Sequence, residues 1–162
     1  MIFDPTLILT LAATLVTGLL AGISLDKAVV QLPARRRMGI LGFASFSRAN
    51  DLGNGLLIYP ATGILAAVLT IIAAISALLR ATSLAHAWPI YVAALLAILH
   101  SITTSRAAPY MLSLRQPTDN ETILAETLDR FAAWHNIRAV LQVINFAVLI
   151  WGIVAYSTAP IL

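Results

Sequence analysis

Residues 56–79 read LLIYPATGILAAVLTIIAAISALL, a run with no charged position. About 20 apolar residues in a helix cross the hydrocarbon core of a bilayer, so this stretch alone is long enough to span. Three others match it, at 7–25, 81–105 and 139–162, and the last extends back to Phe131 if Arg138 is accepted. Backbone amides in lipid have to be satisfied within a helix or a closed barrel. Continuous apolar runs carry the helix signature, unlike the alternating, roughly ten-residue pattern of a barrel strand. The expected fold class is therefore all-α: a single domain over 1–162 forming an integral membrane, up-and-down four-helix bundle. Its spans are placed near 6–27, 55–80, 86–106 and 131–157.

Composition points the same way. Hydrophobic residues make up 60% of the 162 and charged residues 10%, where soluble domains carry roughly 25% charge. That excludes a water-soluble globule, and four spans with their connections leave no room for a separate soluble catalytic domain. Cysteine is absent, which removes disulfides, thiolate nucleophiles and iron–sulfur ligation.

Ten Lys and Arg against seven acids give a net charge of +3, spread along the chain, so a nucleic-acid partner is not expected. The basic residues instead report topology. Lys27, Arg35, Arg36, Arg37 and Arg48 lie between the first two spans and Arg106, Arg115 and Arg130 between the last two, whereas the other side holds only Arg80. The positive-inside rule then puts both long loops in the cytoplasm and both termini outside, in a bacterial inner membrane. The start, Met1-Ile-Phe-Asp4, has no basic region, and the first segment reads as a retained helix. Arg35–Arg37 suits contact with anionic lipid heads.

Local signals mark the element ends. The short link after Arg80 makes spans two and three a hairpin, with His86 facing solvent and Pro89 at a helix start. Thr118-Asp-Asn-Glu121 is a capping box, so the fourth helix is expected to begin near residue 119 and run through Trp151. Glu126 and Arg130 are spaced to pair on it. Gly18-x-x-x-Gly22 allows close helix approach, and Pro60 marks a kink or an early helical turn.

In an alternating bundle, the end of span one, the start of two, the end of three and the start of four meet at one membrane face. Nearly all the unusual residues sit there: Asp26 and Lys27; Arg48, Asp51, Asn54 and Tyr59; His100, Ser101, Thr103 and Arg106; His135, Asn136 and Arg138. At about 1.5 Å per residue, His100 and His135 lie roughly 9 Å and roughly 6 Å from the ends of their spans, at similar depth. His135, Arg138, Gln142 and Asn145 recur at i, i+3, i+7 and i+10, a polar stripe on an apolar helix. Such a stripe is expensive in lipid and should face the bundle or a wet cavity. Thr10, Thr14, Thr17 and Ser24 offer a matching face on the first helix.

Each of these residues has a structural reading beside a functional one. His135 and Arg138 either anchor the helix end at the interface, or act as a base and as the cation that stabilises the resulting anion. Gln142 and Asn145 are left unexplained by anchoring. His100 is either a satisfied core imidazole or a partner for His135. Two imidazoles at equal depth also suit a b-type haem, although no cavity-making glycine pattern flanks either; the expectation is no cofactor and no metal. Asp51 is expected to pair with Arg48 or Arg138, or to orient a histidine. Asn54 and Tyr59 would line the same place.

Gly18-Leu-Leu-Ala-Gly22, Pro33, Tyr59-Pro60 and above all Phe131-Ala-Ala-Trp-His-Asn-Ile-Arg138 resemble the anthrone-oxygenase-like family of small four-helix membrane proteins, a domain of unknown function, over roughly residues 8–156. The resemblance implies oxidation of an anthrone to an anthraquinone without metal or flavin. In that chemistry His135 would be the base and Arg138 the anion stabiliser. His100, Asp51, Asn54, Tyr59, Gln142 and Asn145 would bind substrate. The alternatives are a binding module for quinone, haem or lipid, and an accessory subunit of a membrane complex. Expected partners are membrane lipids and a lipophilic small molecule, with a second copy or another membrane protein left open.

Overall fold

The long apolar runs are helices because nothing inside them offers a better use for the backbone amides. A computed structural model describes residues 4–158. Helix α1 spans Pro5–Asp26, α2 Leu32–Asn50, α3 Gly55–Leu79, α4 Leu84–Ser113 and α5 Glu121–Ser157, and a π-helical turn, Lys27–Gln31, joins α1 to α2. Four helical runs in the described residues are long and apolar enough to cross a membrane: Pro5–Asn50, which carries α1, together with α3, α4 and α5. The protein is an all-α, integral membrane, up-and-down four-helix bundle.

Helix α1 starts with Pro5 in its first turn, where a missing N–H is harmless, and with Asp4 capping the amides of Thr6 (2.8 Å) and Leu7 (3.3 Å). Two of its buried threonines satisfy themselves along the helix: Thr10 donates to the Thr6 carbonyl and Thr14 to that of Thr10, both at 2.7 Å. Gly18 faces the ring of Phe146 so closely that a Cβ would stand 2.7 Å from it, while Gly22 has nothing within 4 Å. Only the first glycine of that motif is a packing device.

The two long inter-span segments, expected as loops, are largely helical. Pro33 falls in the first turn of α2, and no turn residue interrupts the chain until Gly39, whose φ of 72° and ψ of 170° bend α2 into two pieces. The far ends of α4 and α5 likewise run on past their spans. Together they form a collar with its own core, in which Phe43 and Ala44 of α2 meet Ala107, Met111, Leu114, Leu124, Leu128 and Phe131.

Two helix starts also differ from expectation. Asn120, not Thr118, caps α5, its side chain accepting from Thr122 (3.1 Å) and Ile123 (3.2 Å), while Thr118 Oγ1 takes the Asn120 amide. Helix α4 begins at Leu84, so Pro89 lies past its first turn, and half-buried His86 contacts Ser83 Oγ through Nδ1 at 2.7 Å. The Arg130–Glu126 pair forms as spaced, at 2.7 Å. Arg35 reaches Asp129 at 2.6 Å across the collar, leaving Arg36 and Arg37 exposed.

Candidate functional site

Between the collar and the span-buried core, the helices enclose a cavity of about 410 Å³. Leu20, Ile23 and Ser24 of α1 form one wall, and Phe131, His135, Arg138 and Gln142 of α5 the adjacent one. His100 of α4 and Tyr59 of α3 close in from the other side, with Lys27 and Asp51 towards the collar. Of the residues selected from sequence, Asp51, Tyr59, His100, His135, Arg138 and Gln142 are gathered here. Two are not. Asn54 is exposed in the turn before α3, because the chain enters that helix through Gly53 and Gly55 and turns its side chain outward. Asn145 is buried on the same stripe of α5, one turn deeper than Gln142, and does not reach the cavity wall.

His135 is held from both sides. Its Nε2–H donates to the Ser24 carbonyl at 3.1 Å, and Arg138 Nη2 donates to Nδ1 at 2.6 Å. The ring is therefore the neutral Nε2–H tautomer with its lone pair covered by a guanidinium, stacked on Phe131 at 5.5 Å between centroids. That arrangement makes His135 the support for Arg138. Spacing alone, i to i+3 on one helix, put the two in contact; the carbonyl of Ser24, from a helix more than a hundred residues away, fixes which nitrogen carries the proton.

His100 is less constrained. Gln142 lies 3.0 Å from its Nδ1 through the amide nitrogen, leaving Gln142 Oε1 buried with no partner. Turning the amide over would let Nδ1–H donate to that oxygen and leave Nε2 as a free base. Nε2 lies near Gly63 of α3, where a Cβ would stand 3.7 Å away. Thr103 and Thr104 donate to the His100 carbonyl at 2.8 and 2.9 Å and tie down its turn of α4.

Asp51 pairs with Lys27, not with Arg48 or Arg138, and both side chains are almost wholly buried. Arg48 is engaged elsewhere, donating to the Leu114 carbonyl at 2.8 Å in the collar. Lys27, which the sequence places at the polar membrane face but not among the candidate site residues, belongs to the site. Its place at the exact end of an uncharged span was the available signal, since an ammonium there must either snorkel or find a carboxylate. Here the π-helical turn that begins at Lys27 carries the chain inward, and Nζ lies 5.5 Å from the Phe131 ring centroid.

Two features of the cavity bear on chemistry. Its charged lining residues are Lys27, Arg138 and Asp51, two cations against one carboxylate. Three buried polar atoms on its wall have no partner: Asp51 Oδ2, Arg138 Nε and Gln142 Oε1. Buried polar groups are nearly always paired, so these mark places for water or a ligand that both donates and accepts. No group of three or more His, Asp or Glu suited to a metal occurs among the described residues. Set against protein-family models, curated proteins and solved structures, the chain matches none.

Proposed function

We propose that the protein is a membrane-embedded, cofactor-independent enzyme that takes a proton from a lipophilic phenol-, anthrone- or quinol-type substrate. The observation that carries this reading is the excess cation in the cavity: Arg138 and Lys27 face a single carboxylate, Asp51, in a site walled by apolar side chains. In such surroundings a fixed positive charge favours a developing phenolate or enolate far more than it would in water. Arg138, steadied by His135, and Lys27, steadied by Asp51, stabilise the anion. His100, with Gln142 Oε1 accepting from Nδ1, receives the proton at Nε2. Tyr59 packs beside the substrate.

For an anthrone the balance closes without a cofactor. The CH₂ carbon loses a proton to His100, its electron pair forms a C–O bond to dioxygen, and the peroxide takes a proton. Loss of water then leaves a carbonyl, so that one oxygen atom enters the product and the other leaves with both hydrogens. This agrees with the activity implied by the resemblance to the anthrone-oxygenase-like family, with the base moved from His135 to His100. The charge distribution supports an orientation with the collar in the cytoplasm and both termini outside, and we place the protein in a bacterial inner membrane.

Dioxygen uptake with an anthrone, measured on protein in lipid nanodiscs, tests the reading. His100→Ala and Arg138→Ala should each slow it about 100-fold or more; unchanged rates would remove the site from the chemistry. A second reading, a binding module for a quinone or lipid, is favoured by the occupied nitrogens of His135. It expects saturable ligand binding with no turnover. The haem variant of that reading requires Arg138 or the Ser24 carbonyl to release the imidazole, and a Soret band in purified protein would reveal it.

A further inference from the structure

The walls of the cavity are unequal. On α1 and α5 most of its lining residues are buried, Leu20, Ser24, Phe131, His135 and Gln142 among them. On α3 and α4 many of the lining residues also form the outside of the molecule: Ile64 is 65% exposed, Leu112 41% and Leu56 37%, and Ser101 and Ser105 are exposed as well. Helix α3 has no buried residue between Gly55 and Ala66. Its contribution to the core begins further along, where Ala73 and Ala74 pack with Ile90 of α4. The two helices are thus sealed near their hairpin and apart at the cavity. Small side chains keep the gap open, with Gly63 on α3 and Ser101, Ser105 and Ala108 on α4. The serine hydroxyls are spent on their own helix, Ser101 donating to the Ala97 carbonyl at 2.9 Å and Ser105 to that of Ile102 at 2.7 Å. What they present to the gap is apolar.

We infer that the gap between α3 and α4 is a lateral portal to the bilayer, and that the site takes an amphiphile whose weakly acidic head lies at Arg138, Lys27 and His100 while its hydrocarbon tail passes out between these helices into lipid. This rests on the phenol reading above and narrows its substrate class to tail-bearing phenols or quinols. The unpartnered, buried Oδ2 of Asp51 and Nε of Arg138 mark the head end. The exposed apolar rim marks the tail end. A cavity of about 410 Å³ holds a ring system but not a long chain, so a chain can be accommodated only by leaving.

Equilibrium binding of 4-alkylphenols from ethyl to dodecyl, measured in nanodiscs with free ligand expressed as mole fraction in lipid, tests this. A tail that stays among acyl chains in both states contributes little to binding, so Kd should vary less than about threefold across the series. Failure of dodecylphenol alone, with ethylphenol still bound, overturns the portal and leaves the phenol reading standing. Failure of the whole series overturns the phenol reading and the occupant assigned to the portal with it. Ser105→Trp and, on the facing helix, Ile64→Trp should raise the dodecylphenol Kd about tenfold or more while ethylphenol stays within about twofold, since only the long ligand needs the gap. Ethylphenol binding also reports that each variant is folded. If both variants bind the two ligands as the unmodified protein does, the tail does not pass between α3 and α4.

Discussion

The two ends of the bundle solve the same problem in opposite ways. At the end holding the chain's described termini and the α3–α4 hairpin, polar groups are few and matched. Asp4 caps α1, accepts from the Tyr156 hydroxyl at 3.1 Å and lies 3.4 Å from Arg80, and Thr6 meets Ser76 at 2.7 Å. Small residues such as Ala73, Ala77 and Ala87 let the helices close with no space between them. At the collar end, helices of similar composition stand apart around a cavity, and three polar atoms on its wall go without partners. A membrane helix bundle is held by packing and by satisfied polar groups. An end that leaves a cavity and unpaired polar atoms beside its own packed core is arranged for something other than stability.

Substitutions should separate the two ends sharply. The largest effect is expected from Asp51→Ala, which leaves Lys27 buried without its counter-charge; removing one partner of a buried pair typically costs about 3–5 kcal/mol. Thermal unfolding in detergent should show it, and Lys27→Met combined with Asp51→Leu should recover much of the loss while abolishing phenol binding. If the double variant is as unstable as the single one, the pair is not the source.

Next comes the packing seam between the ends. Gly18→Val should cost about 1–3 kcal/mol through overpacking on Phe146. Gly22→Ala, with open space around it, should be neutral or slightly stabilising; equal losses at both glycines would show that the motif acts as a whole. Asn120→Ala removes the α5 cap in the collar and should cost about 1 kcal/mol. The smallest change belongs to the well-matched end, where Asp4→Asn keeps the helix cap and loses only a partly exposed ion pair, worth below about 1 kcal/mol. Ligand affinity should not respond to it. A response there would mean that the two ends are coupled.

Much of this contrast was legible in the residues before folding, and for identifiable reasons. Hydrocarbon leaves the backbone so few options that span count, helical class and alternation follow from run length alone, and alternation brings His100 and His135 to one face. The stripe from His135 to Asn145 was visible as periodicity. The collar was not, because turn chemistry and charge between spans look alike whether the segment is loop or helix; only the apolar contacts of Phe43 and Leu128 decide. The partner of Asp51 was misjudged for a related reason. Arg48 and Arg138 were the expected partners, and only the π-helical turn that begins at the buried Lys27 decides otherwise.

The sequence by itself determined that the protein lives in a bilayer as four helices and that its hydrophilic side chains collect towards one membrane face, since both follow from local solvation costs. Tertiary structure decided the pairings, the tautomer of His135, the contacts of His100 and which side chains line the cavity. Those depend on how helices rotate and splay against one another, and that rotation is set by long-range packing at positions such as Gly18 and Ala73, which no local pattern encodes.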